Sequence, residues 1–151
     1  MRLLLDSNVL LLLIVGSIRP DRIGGKRLRE FDDADFSLVA KLASEASGHV
    51  STPNILTEVS NLLGSGPQQL VEGGVAELAV YVAGLDEIYE PSRRLIALPE
   101  FDALGLTDTG IFWLADSNTR VVSVDHHLCG RLIKKGVDVI NPRNFRTLGD
   151  G

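Results

Sequence analysis

The sequence predicts a single α/β domain with three layers, in which helices cover both faces of a central parallel sheet. Two observations lead to this fold class. Strand and helix signals alternate along the chain, and the first strand and the helix after it are apolar almost throughout, as buried elements are. The length of 151 residues suits one domain, spanning residues 1–151, with a core of its own.

The first half of the chain contains two predicted strands and three predicted helices. Thr52 and Pro53 are a favoured N-cap and first helical residue, so a helix is expected from there to about Leu63. The elements before it are a strand at Arg2–Leu5, a buried helix at Ser7–Val15, a charged loop at Gly16–Asp33, an amphipathic helix at Ala34–Ser47 ended by Gly48, and a strand at His49–Ser51.

The second half repeats the alternation with shorter elements. Thr107 and Asp125 are predicted N-caps, and Gly136 is a predicted helix end. The expected order is a helix from Pro67 to near Gly84 with glycines inside it, a strand at Glu87–Tyr89, a helix at Ser92–Ala97, a loop at Leu98–Leu106, a helix at Asp108–Asp116, a strand at Arg120–Val124, a helix ending at Lys135 and a strand at Asp138–Ile140.

Composition leaves the class of ligand open. The chain carries 20 acidic residues against 15 Lys and Arg, a net charge of −5, with 44% hydrophobic and 23% charged residues. A basic surface that would indicate nucleic acid directly is not evident. Acids gathered around metal ions can nevertheless make a nucleic-acid enzyme acidic overall. The single cysteine, Cys129, cannot form an internal disulfide, which favours a cytoplasmic location.

The N-terminus resembles a secretion signal only superficially. An apolar stretch follows Arg2, but Asp6 to Asn8 interrupt it, and the run Val9–Val15 is far shorter than the ~20 residues of a membrane span. We therefore expect no membrane association. The secretory alternative predicts cleavage after residue 16 or 17, which would remove Asp6, and mass spectrometry of the native N-terminus distinguishes the two.

Four acids occupy similar positions at the ends of predicted elements: Asp6, Glu58, Asp108 and Asp125. The strands that end at Asp6 and Asp125 are candidate neighbours at the switch point of a doubly wound sheet, where ligands bind. Clustered carboxylates repel one another unless a cation intervenes, and Mg²⁺ and Mn²⁺ prefer such hard oxygen ligands. Such a site suits phosphodiester hydrolysis. Taken singly, the three aspartates are equally explained as helix caps, and Glu58 as part of a solvated face.

The ordered set of motifs around these acids resembles the PIN-domain family of VapC-like ribonucleases. No single motif is specific, but order and spacing both fit from Leu3 to about Asn141. The motifs are Leu-Leu-Asp-Ser-Asn-Val-Leu at 4–10, Thr-Pro-Asn-Ile-Leu-Thr-Glu-Val at 52–59, Gly-Leu-Thr-Asp-Thr-Gly-Ile at 105–111, and Val-Ser-Val-Asp at 122–125 followed by Leu128.

The resemblance implies a PIN fold and Mg²⁺- or Mn²⁺-dependent endoribonuclease activity on RNA. The site would comprise the four acids, with Asn8 and Ser123 as supporting polar residues. If the protein is a toxin of a toxin–antitoxin pair, an antitoxin protein is implied, and small PIN proteins commonly form homodimers. Two alternatives remain: a catalytically inactive PIN-like binding or regulatory module, and a phosphatase-like hydrolase in which Asp6 is the nucleophile.

Other chemistry-bearing residues receive structural interpretations. His126 and His127 are expected to be exposed first-turn residues rather than metal ligands, and Cys129 a buried, inert thiol. The basic loop residues Arg19, Arg22, Lys26, Arg27 and Arg29 could contact phosphate. However, their loop begins at the end of the sheet opposite to the acids and would have to fold back, so a solvated loop is expected.

Overall fold

The computed structural model describes residues 1–145, which include the following strands and α-helices. The strands are β1 (Arg2–Leu5), β2 (Gly48–Ser51), β3 (Asp86–Glu87), β4 (Thr119–Val122) and β5 (Asp138–Ile140). The helices are α1 (Ser7–Ile18), α2 (Asp33–Glu45), α3 (Pro53–Leu63), α4 (Gly74–Ala83), α5 (Ser92–Leu95), α6 (Phe101–Leu114) and α7 (His126–Lys135).

The strands form one all-parallel sheet in the order β3-β2-β1-β4-β5, flanked by helices as in PIN domains. This confirms the predicted fold class. Helix α1 packs against α2, α3 and α4, while α6 packs against α5 and α7. The chain moves from β1 towards β3 in its first half and from β3 towards β5 in its second half. Because crossovers between parallel strands are right-handed, these opposite directions place the two groups of helices on opposite faces of the sheet.

Strand β1 and helix α1 form the centre of the core. Leu3, Leu4 and Leu5 of β1 are almost completely buried, and so are eight of the twelve residues of α1. A helix enclosed in this way needs apolar residues all round, as the run Val9–Val15 provides. The element that begins at Asp6 is therefore held rigidly by packing along its length.

The switch point lies between β1 and β4. These two strands are parallel neighbours, with Leu5 opposite Val122, and the backbone N–H of Asp6 donates to the carbonyl of Val122. The expectation that the strands leading to Asp6 and Asp125 are adjacent is thus confirmed. Because all strands are parallel, the residues that follow them emerge at one edge of the sheet.

The helix predicted from Pro67 to near Gly84 is wrong in its first half. A short 3-10 turn spans Gly66–Gln68, and α4 begins only at Gly74. Gly73 stands at φ 85°, a left-handed conformation that interrupts a right-handed helix. The two adjacent glycines therefore mark a helix start rather than a weak helix interior.

Several other boundaries differ from the prediction, among them those of α2 and α6. Helix α2 ends at Glu45, so Gly48 does not terminate it but begins β2. Part of the predicted loop at Leu98–Leu106 is helical, since α6 already begins at Phe101. None of the helices within residues 1–145 combines the length and the apolar character needed to cross a membrane.

Candidate metal centre

Acidic side chains from five separate segments line one open cavity of about 280 Å³ at the carboxyl edge of the sheet. All four acids singled out from the sequence are among them, and Glu30 is a fifth that sequence reasoning missed. The lining residues are Asp6, Ser7, Asn8, Glu30, Glu58, Asp108, Val124 and Asp125. The fold therefore brings together residues that lie up to 119 positions apart, from Asp6 to Asp125.

Asp6 both caps a helix and lines the cavity. Its Oδ1 accepts a hydrogen bond of 2.8 Å from the backbone N–H of Ser7 at the start of α1, and its Oδ2 accepts one of 2.7 Å from Ser123 Oγ. Burial raises the pKa of Asp6, although the two hydrogen bonds oppose this, and the charges of Asp125 and Glu58 raise it further. The two interpretations of Asp6 are thus compatible.

Ser123 joins the acids that follow β1 and β4. Its buried hydroxyl donates to Asp6 and accepts a bond of 3.1 Å from the backbone N–H of Asp125. Ser123 is itself fixed, because its backbone N–H donates to the carbonyl of Ile140 in β5. The hydroxyl therefore orients one carboxylate and the chain segment that carries the next.

Asn8, the other predicted supporting residue, lines the cavity but makes no hydrogen bond to the acids within the described part of the chain. Beside it, the Ser7 hydroxyl is buried and lacks a hydrogen-bond partner among residues 1–145. A buried hydroxyl without a partner carries a desolvation cost. The floor of the cavity therefore contains a polar atom whose hydrogen-bonding capacity is unused.

Asp125 is the N-cap of α7, as predicted. Its Oδ1 accepts a hydrogen bond of 3.0 Å from the backbone N–H of Leu128. Only this oxygen takes part in the cap, and the carboxylate also faces the cavity. The cap fixes the position of the charge, which acts on both Asp6 and Asp108.

Asp108 is positioned by a break in α6, and the predicted cap at Thr107 is wrong. The residue with non-helical backbone angles is Gly105, at φ 76° and ψ −179°. Thr109 Oγ1 donates to the Gly105 carbonyl across this break. Asp108 therefore lies in the first turn after the kink, where a helix favours negative charge.

The pKa of Asp108 shows that the acids share one electrostatic environment. Burial, together with repulsion from Asp6, Asp125 and Glu58, raises it to about 7. Glu58 reaches the cavity from the second turn of α3, between the buried residues Ile55 and Val59. Glu58 is exposed to solvent, as the sequence predicted, and it also lines the cavity.

The donor set suits a hard divalent cation. Carboxylates are ligands that Mg²⁺ and Mn²⁺ prefer, and a cation would relieve the repulsion that raises the pKa of Asp108. Within residues 1–145, no three Asp, Glu, His or Cys side chains stand close enough to hold one ion directly. An ion here would therefore take one or two carboxylates, with water and substrate phosphate completing its shell, which is the usual manner for Mg²⁺.

The histidines and the single cysteine lie outside the cavity. His126 and His127 are exposed, and neither lines it. His49 packs edge-to-face on Tyr81, and its Nε2 lies 3.1 Å from the carbonyl oxygen of Ala43, a structural role. Burial raises the pKa of the Cys129 thiol, as expected for an inert cysteine.

Sequence reasoning missed an ion pair at the rim of the cavity. Arg143 Nη2 donates to Glu30 Oε2 over 3.0 Å, joining residues 113 positions apart. Neither residue belongs to a recognisable motif, and no local spacing connects them. Only the tertiary fold could reveal this contact.

Neither a protein-family model nor a curated protein matches this chain. The likeness to PIN domains therefore rests on the strand order of the sheet and its flanking helices. The acids at the carboxyl edge are a separate observation from the geometry of this chain.

Proposed function

We propose that the protein is a PIN-type endoribonuclease that uses Mg²⁺ or Mn²⁺ to hydrolyse RNA phosphodiester bonds. The observation that carries the proposal is the convergence of Asp6, Glu58, Asp108 and Asp125 on one cavity at the switch point of the sheet. The raised pKa of Asp108 supports it, because strongly perturbed carboxylates in a cleft are typical of functional sites.

One or two of the carboxylates of Asp6, Glu58, Asp108 and Asp125 would hold the cation directly, and the others would act through its bound water. When bound, such an ion supplies an activated water and stabilises the leaving oxygen of a phosphodiester. The chain's own contribution is geometry: Ser123 fixes Oδ2 of Asp6, and the α7 cap fixes Asp125. These contacts keep the charged groups in place before a substrate arrives.

The most direct test of activity is the Asp6→Asn substitution. Asparagine retains an oxygen for the helix cap but removes the charge, so cleavage of a single-stranded RNA with Mg²⁺ or Mn²⁺ should be abolished. Stability should be retained or raised, since one of several repelling carboxylates is removed. Gel-based cleavage assays and thermal unfolding measure the two effects.

Asp32→Asn is the matched control. Asp32 also caps a helix, α2, through its side chain, and it does not line the cavity. This variant should cleave like the wild type. A wild-type protein that cleaves no RNA with either metal, or an Asp6→Asn variant of full activity, would refute the proposal.

The second candidate is a PIN-like binding or regulatory module without catalysis. It is favoured by the absence, within residues 1–145, of three acids close enough to ligate one ion together. It predicts that Mn²⁺ does not bind at the acids. Calorimetric titration separates the two functions: Mn²⁺ binding at millimolar or lower concentration that is lost in Asp108→Asn supports the enzyme.

If the nuclease is the toxin of a toxin–antitoxin pair, two partners are expected: an antitoxin protein that inhibits cleavage, and a second copy of the chain in a homodimer. Sedimentation of the purified chain tests the second directly.

A further inference from the structure

The basic loop between α1 and α2 folds back to the acidic cavity. It leaves α1 at Arg19, at the far end of the helix from Asp6, yet Glu30 lines the cavity. Leu28 and Phe31 are buried and fix this return, and Leu28 also exchanges backbone hydrogen bonds within the loop. The sequence predicted a solvated loop, whereas part of the observed loop is buried and returns to the cavity.

The return places an arginine beside the cavity. Arg29 lies between the buried Leu28 and the cavity-lining Glu30, and its side chain is exposed. Because adjacent Cα atoms are about 3.8 Å apart, the return brings this exposed cation to the chain segment that lines the cavity. Arg22 differs: it belongs to the same loop but donates to the Leu70 carbonyl, beyond the end of α3.

A second arginine pairs with the cavity-lining residue Glu30 itself. Arg143 follows β5, and its backbone N–H is held by Asn141 Oδ1 at 3.0 Å. Its Nη2 donates to Glu30, while its Nε is buried and has no hydrogen-bond partner among the described residues. The Arg143 side chain as a whole is partly exposed, so its guanidinium stands beside a cavity-lining carboxylate and is accessible from solvent.

We propose that Arg29 and Arg143 form a cationic rim that binds the phosphate groups of single-stranded RNA flanking the acidic cavity. The inference rests on the proposed function for its choice of ligand. A cavity lined by five carboxylates repels a polyanion, so cations beside it are needed to hold the strand. Guanidinium groups suit this role because they bind phosphate through two parallel hydrogen bonds.

Glu30 is a positioning residue in this arrangement. Its pair with Arg143 is about one third exposed on both sides, with side-chain exposures of 32% and 38%. Pairs exposed to this extent are weak, so a phosphate can replace Glu30 at low cost. The carboxylate holds Arg143 at the rim until RNA arrives.

The test measures binding of a fluorescein-labelled, single-stranded 12-nucleotide RNA by fluorescence anisotropy, in MgCl₂ and in an Asp6→Asn background that prevents cleavage. Arg29→Ala and Arg143→Ala should each weaken binding about tenfold, as expected for losing a hydrogen bond to a charged group. Each should also reduce the slope of log K against log salt by about 0.7, the value for one phosphate contact on a single strand. Arg22→Ala, the matched control, should do neither.

Glu30→Gln distinguishes phosphate binding from a structural role. It breaks the same ion pair as Arg143→Ala but leaves the guanidinium in place, so RNA should bind at least as tightly as before. If Glu30→Gln loses as much affinity as Arg143→Ala, the arginine acts only as a tie between segments and the proposal is overturned.

These experiments distinguish a failure of the cationic rim from a failure of the proposed nuclease activity. Unchanged affinity and salt slope in Arg29→Ala and Arg143→Ala overturn the rim, whereas cleavage that depends on Asp6 would still support the nuclease. Conversely, a chain that binds RNA through both arginines but cleaves none supports the rim and refutes the nuclease.

Discussion

At the scale of single residues, the site is built from side chains that serve the fold and the cavity together. Asp6 and Asp125 cap helices with one oxygen and also face the cavity. The sequence could identify them as element ends because the cap signal is local. It could not separate cap from ligand, since both uses require the same carboxylate at the same position.

Removing the Ser123 hydroxyl should disturb the site more than the fold. Ser123→Ala deprives Asp6 Oδ2 and the Asp125 N–H of their partner, and the pKa of Asp6 rises further because a hydrogen bond that lowers it is lost. We expect RNA cleavage to fall about 10–100-fold, with a loss of about 1–3 kcal/mol in the free energy of unfolding.

Cleavage rates and urea denaturation measure these effects. Ser44→Ala is the control, because Ser44 is an exposed serine on α2 that bonds only the Lys41 carbonyl. Full activity in Ser123→Ala would show that the hydroxyl does not orient Asp6.

The metal-free protein should lose stability as pH rises from 5 to 8. Asp108 has a pKa of about 7 when folded against a model value of 3.8, so the folded state binds the proton more tightly. The resulting stabilisation is present at low pH and lost as pH rises through about 7, and the raised pKa of Asp6 acts in the same direction. The lowered pKa values of Asp21 and Asp116 act below 3.8, outside this window.

Thermal unfolding in EDTA across this pH range tests the prediction. Asp108→Asn should flatten the dependence, whereas Asp102→Asn, an exposed acid in the first turn of the same helix, should retain it. Saturating Mg²⁺ should also reduce the decline, because a cation offsets the repulsion. An unfolding temperature that is constant or rises from pH 5 to 8 in EDTA contradicts the account.

At the scale of elements, the kink in α6 decides where Asp108 stands. The sequence indicated a helix that carries Asp108, but not the break at Gly105. The interpretation of Thr107 as the cap was wrong because the conformation at this point is set by a glycine backbone and not by a side-chain oxygen. A local capping signal cannot reveal a helix that continues on both sides of a kink.

Gly105→Ala should destabilise the protein and displace Asp108. The backbone at φ 76° and ψ −179° is accessible almost only to glycine, and a side chain there costs about 1–3 kcal/mol. No atom lies within 4 Å of the added Cβ, so backbone strain is the only cause. Gly130→Ala in α7 also meets open space but has no positive φ, and it should stabilise by about 0.4–1 kcal/mol.

Chemical denaturation measures whether the free energy of unfolding falls in Gly105→Ala and rises in Gly130→Ala. Cleavage assays show whether only Gly105→Ala loses activity. Equal stability changes in both would mean that the break at Gly105 is not strained.

At the scale of the whole molecule, the parts that sequence could predict are those governed by strand topology. Alternating elements require a parallel sheet, and a parallel sheet gathers the acids after β1 and β4 at one edge. The return of the loop to Glu30 and its contact with Arg143 depend on packing between distant segments. No local pattern encodes such contacts.

The central claim is that the acids at this edge hold a divalent cation. A crystal soaked in millimolar Mn²⁺ and measured at the manganese absorption edge tests it most directly. We expect an anomalous difference peak in the cavity from an ion that is bound by one or two carboxylates of Asp6, Asp108 and Asp125, with water completing its shell. Ordered carboxylates with no anomalous peak between them at that concentration would contradict it.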